Sequence, residues 1–187
     1  MTWTSFHSRG EILRSVTRVA DRRRDGVLPM DVPGVRETFE DELALYGALS
    51  LRWHTRLAGR IERELAGQPL DLEGAVITAW RALADDMPGT RAILDHYRDE
   101  PVDDAMAAAI AKATRKEHIL LAIMAGRASV HDSRGAALAA QTGAHIEQRA
   151  RTLNAAIATA RSTTTPHDGA LTSLRQRLGR LRAALAA

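Results

Sequence analysis

Apolar residues return at intervals of three and four along almost the whole chain, and no segment alternates them long enough to suggest a strand. That period puts them on one face of a helix. The clearest run covers residues 34–65, where Val35, Phe39, Leu43, Tyr46, Trp53, Leu57, Ile61 and Leu65 make a single stripe. Alanine and leucine supply most of the apolar mass, so intrinsic propensity agrees with the period. The expected fold is all-α: an antiparallel bundle of about six helices plus a C-terminal amphipathic helix.

Punctuation divides the chain. Ser8 and Glu11 have capping-box spacing, with Ile12, Val16, Val19 and Ala20 following on one face and Gly26 as the stop. A second helix over 34–65 would span roughly 48 Å. Its start is acidic (Glu37, Glu40, Asp41, Glu42) and its second half basic (Arg52, Arg56, Arg60, Arg63), an order that suits the helix dipole. Asp71 caps a third helix, which Pro88-Gly89 breaks, and a short fourth helix covers 90–98. A fifth covers about 103–128 and a sixth about 133–161. The run Ser162-Thr163-Thr164-Thr165-Pro166 reads as a linker. The expected organisation is a bundle domain over 1–161, a Ser/Thr-rich linker over 162–168 and a leucine-heptad basic helix over 169–187.

No proline falls between Pro101 and Pro166, so residues 103–161 could form either a hairpin or one helix of roughly 87 Å. The length favours the hairpin, with its turn near His131 and a cap at Asp132.

Glu117 is the anomaly within this pattern. On the fifth helix Met106, Ile110, Ala113, Leu120, Leu121 and Met124 form the apolar stripe, and Glu117 falls at its centre. A carboxylate in a core costs several kcal/mol unless it is paired or hydrogen-bonded. A hairpin turning at His131 sets Glu117 level with His145, with Arg149 one turn further on. These three are the candidate ligand-binding residues: Glu117 as ligand or base, His145 as ligand or acid–base group, Arg149 as anion anchor. A buried ion pair that fixes helix register would use the same residues.

Other constellations are weaker. His7 and Glu11 stand four apart and face solvent. Glu42 and His54 sit on opposite borders of the second stripe, each with its polar tip expected in water. Ferritin-like di-iron bundles need Glu-x-x-His from two helices, and the chain has none. There is no phosphate loop, Gly-x-Ser-x-Gly elbow or His-Glu-x-x-His. With no cysteine, thiolate metal sites and thiol nucleophiles are excluded. No metal or cofactor is expected.

The last specific feature is Leu171, Leu174, Leu178, Leu181 and Leu185 in 3-4 spacing, flanked by arginines. It suggests a partner-binding or self-associating helix. Charge is segregated along the chain, with basic ends around an acidic stretch at 67–104, which also favours assembly over nucleic acid. Arginine replaces lysine almost everywhere, as in G+C-rich bacterial genomes, and only Lys112 and Lys116 are lysines. No segment is long and apolar enough to span a membrane, and the first 14 residues lack a signal-peptide pattern, so a cytoplasmic protein is expected. The expected function is non-enzymatic: a helical bundle that oligomerises or binds a protein partner. The alternative is a ligand- or metal-binding bundle of ferritin-like or haem-oxygenase-like architecture without the standard motifs, possibly an enzyme.

Overall fold

A computed structural model describes the backbone of residues 3–129 and 135–163, with side chains over 9–129 and 135–160. Among the described residues there are seven helices and no strand: α1 (Trp3–Arg23), α2 (Val35–Thr38), α3 (Glu42–Ala66), α4 (Leu72–Asp86), α5 (Pro88–Asp99), α6 (Asp104–Met124) and α7 (Ala136–Thr163). The protein is all-α, a helical bundle. It divides into two compact units, Met1–Ala150 and Arg151–Ala187. Everything below concerns the first unit unless stated. The leucines at 171, 174, 178, 181 and 185, and Asp132, lie outside the described residues.

Several boundaries differ from the sequence reading, each for a local reason. α1 begins at Trp3, so Ser8 is inside the helix rather than its cap. The expected single helix over 34–65 is two. Phe39 is extended (φ −120°, ψ 121°) and buried, and Asp41 caps α3 by accepting from the Ala44 N–H at 2.7 Å. The acidic cluster there marks a helix start inside the stripe, because Asp41 offers its carboxylate to an orphan backbone donor. Asp71 caps α4 as expected, accepting from the Gly74 N–H at 2.9 Å. Pro88 ends α4 but also opens α5 at its first position, where a missing N–H costs nothing.

Residues 103–161 do not form one helix. α6 stops at Met124, and Gly126 takes φ 69° just beyond it. The Arg127 N–H then reaches back to the Ala122 carbonyl at 2.8 Å, closing the last turn. α7 starts at Ala136 and continues to Thr163, two residues into the segment expected to be a linker.

α3 is the centre of the bundle and touches α1, α4, α5 and α6. Its Leu45, Leu49, Trp53, Leu57 and Ile61 are fully buried and join Val76, Trp80 and Leu83 of α4 in one core. Trp53 and Trp80 meet edge to face, centroids 5.8 Å apart. Such a pair adds about 0.5–1.5 kcal/mol beyond its area. Two glycines set close helix crossings. A Cβ at Gly89 on α5 would overlap the Ala20 carbonyl of α1, and one at Gly143 on α7 would overlap the His118 carbonyl of α6.

Candidate functional site

Glu117 is buried, with 4% of its surface exposed. Its carboxylate joins three helices. Trp53 Nε1 on α3 and Trp80 Nε1 on α4 both donate to Oε1, at 3.2 and 3.1 Å. His54 Nε2, the next residue on α3, donates to Oε2 at 2.9 Å. The two indoles place their apolar bodies in the core and their single N–H groups on one oxygen, the usual requirement for a buried tryptophan. Arg91 of α5 lies behind them, its guanidinium 4.8 Å from the Trp53 ring centroid and 5.9 Å from that of Trp80. It also bonds Asp95 at 2.8 Å.

Burial is the largest influence on Glu117 and pushes its pKa up. The His54 hydrogen bond and the Arg91 charge pull it down, against a smaller push from Glu147, and the net position is below the ordinary carboxylate value. Glu117 is therefore ionised at neutral pH and can only accept. The shared hydrogen belongs to His54 Nε2, which leaves Nδ1 as the unprotonated nitrogen while the ring is neutral.

The expected cluster does not assemble. His145 is exposed, and Arg149, also exposed, pairs with Glu73 of α4. The hairpin register itself was close, since α7 crosses α6 at Gly143 against His118. Rotation separates the groups. His118, one residue on from Glu117 and about 100° round the helix, is the α6 side chain that meets α7. It bonds the buried Glu147 at 2.6 Å, and Arg98 of α5 bonds the same carboxylate at 3.1 Å. His54 was expected with its tip in water, and its ring instead points inward to Glu117. The sequence held one usable signal: Trp53 and Trp80 both fall on buried stripes, and each needs an acceptor.

The His54–Glu117 pair forms the floor of a groove between α3 and α6 of about 450 Å³. Leu43, Leu51 and Leu120 give it apolar walls. Leu51 is 67% exposed. Ser50 lies one turn before His54 on the same face. Among the described residues its hydroxyl and His54 Nδ1 make no hydrogen bond, so both remain available to the groove. Tyr46 lines the same groove; burial pushes its phenol above the usual value, so it stays a neutral hydroxyl. Lys112 and Lys116 line it too, both exposed and neither paired with a carboxylate among the described residues. Its volume falls within the range of small-molecule pockets. Among the described residues, no three His, Asp or Glu side chains converge as a metal-ion site would require. No described helix is long and apolar enough to cross a membrane.

No protein-family model, curated protein or solved structure matches this chain.

Proposed function

We propose that the protein binds a small amphipathic acid in the α3–α6 groove. The observation that carries this reading is a concave, largely apolar surface in which the Ser50 hydroxyl, His54 Nδ1 and two lysines make no bond among the described residues. Glu117 is fixed by two indoles and in turn fixes His54, leaving Nδ1 and the Ser50 hydroxyl open to a ligand. Both lysines of the chain line that surface, without carboxylate partners among the described residues. Their charge selects an anion, Leu43, Leu51 and Leu120 take the apolar body, and Ser50 with His54 offers a second polar contact. Glu117 acts as a positioning residue through His54, as a carboxylate does when it holds one imidazole tautomer. Pre-organisation of this kind reduces the ordering cost of binding.

Octanoate is a suitable probe, followed by calorimetry and by the fluorescence of Trp53 and Trp80. Saturable binding should exceed that of octanol, which has the tail without the charge. Replacing both lysines with alanine should weaken octanoate by about tenfold or more and leave octanol unchanged. Equal binding of acid and alcohol, or an unchanged affinity in the double variant, would remove the reading.

A second reading is assembly through the leucine repeat at 171–185. Its support is the sequence period and the charge segregation of the chain. The two readings concern different parts of the chain and can be tested separately.

A further inference from the structure

Another face of α6 borders a second concave site, independent of the groove, since the two share no lining residue. It is a cleft of about 420 Å³ beside α5 and α7. Its polar lining is Arg98, Thr114, Arg115 and His118, and Tyr97 and Ile110 supply apolar surface.

Behind this lining stands Glu147, itself buried and absent from the cleft wall. One oxygen accepts from Arg98 Nη1 and the other from His118 Nε2. A single buried carboxylate therefore holds two cleft residues in place, an arrangement suited to a precise site. The cleft retains binding capacity. Arg98 Nε is buried without a partner among the described residues. Thr17, Thr55, Thr78 and Thr159 each turn their hydroxyl back to the carbonyl four residues earlier, whereas Thr114 makes no such bond. Arg115 is exposed and has no carboxylate partner among the described residues.

Charge points the same way. One carboxylate stands against two guanidinium groups, so the cleft keeps positive charge. The acids of the α5–α6 connection, Asp99, Glu100, Asp103 and Asp104, are absent from the lining, and Asp103 caps α6 by accepting from the Met106 N–H at 2.7 Å. Guanidinium forks match the oxygens of a phosphoryl group better than point charges do.

We propose that this cleft binds a phosphate monoester carrying a small apolar or aromatic group. Arg98 and Arg115 hold the phosphate, the Thr114 hydroxyl donates to it, and the apolar group rests against Tyr97 and Ile110.

Phenyl phosphate tests this at constant ionic strength, with calorimetry for affinity and phosphorus NMR for the bound headgroup. With octanoate present to fill the α3–α6 groove, binding should saturate at one further site. Arg115→Ala should weaken it by about tenfold or more, and Thr114→Val by roughly threefold. Arg115 has no carboxylate partner among the described residues, so its variant should fold normally. Lys116→Ala, in the other groove, should leave phenyl phosphate affinity unchanged. The proposal fails if Arg115→Ala binds like the unaltered protein, if benzoate binds as tightly as phenyl phosphate, or if Lys116→Ala weakens binding as much as Arg115→Ala.

Discussion

At the scale of single residues, Glu117 is determined by what donates to it. Two indole N–H groups and one imidazole N–H converge on its oxygens inside the core. Glu117→Leu would suit the apolar stripe of α6 but leave those donors without an acceptor. A buried unsatisfied group costs about 1–3 kcal/mol, so the variant should lose about 3–5 kcal/mol in urea unfolding. Glu117→Gln keeps an oxygen for the indoles and should lose about 1–2 kcal/mol. Acid distinguishes charge from shape. The folded pKa of Glu117 is lowered, so the unfolded chain takes up its proton first as pH falls. Stabilisation by the ionised carboxylate is complete above the unfolded value, about pH 4.3, and is lost as pH falls through the lower folded value. The gap between the unaltered protein and Glu117→Gln should be constant near neutrality and narrow in acid. A gap that widens in acid would show that the carboxylate is not stabilised by its charge.

At the scale of elements, periodicity revealed which helices exist but not how each is rotated. The stripes of α3, α4 and α6 follow from spacing, and Trp53, Leu57, Val76, Trp80, Met106 and Leu121 are buried as the sequence implies. The α6–α7 register followed from the turn position. The orientation did not, because Ala-rich helices offer weak azimuthal signals, with hydrophobicity spread round much of the surface. Whether Glu117 or His118 faces α7 is decided by Gly143, which lets the backbones approach at His118. Arg91 was missed for a related reason. An arginine within an apolar stripe reads as solvated until the two indole faces beside it are known. Glycines test this crossing geometry directly. Gly143→Ala and Gly89→Ala each set a Cβ against a neighbouring carbonyl, and each should cost about 3 kcal/mol or more in thermal unfolding. Gly59→Ala on α3 meets only the flexible end of Arg63 at 3.7 Å and should instead stabilise by roughly 0.5–1 kcal/mol. Equal effects at all three positions would mean that the crossings are not set by close backbone approach.

At the scale of the whole molecule, three glutamates connect helices α3 through α7. Glu117 joins α6 to α3 and α4, Glu147 joins α7 to α5 and α6, and Glu73 joins α4 to Arg127 beyond α6 and to Arg149 of α7. The contacts of Glu117 and Glu147 are buried, and such contacts specify arrangement more than they add stability, whereas the Glu73 pairs are exposed. Their positions also divide α6 between two sites, one using Glu117 and the lysines, the other His118 and Arg115. Every lining residue of both sites lies between Leu43 and Ala140, so a chain stopped after Thr163 should keep both. Octanoate and phenyl phosphate affinities should stay within about twofold of the full chain, a free-energy change well under that of one lost hydrogen bond. Light scattering on the same pair tests the assembly reading. If the leucine repeat at 171–185 drives association, the full chain should run as a dimer or larger and the shortened one as a monomer. Equal subunit numbers with binding intact would remove the repeat from assembly, while loss of either affinity would show that residues beyond Thr163 contribute to the sites.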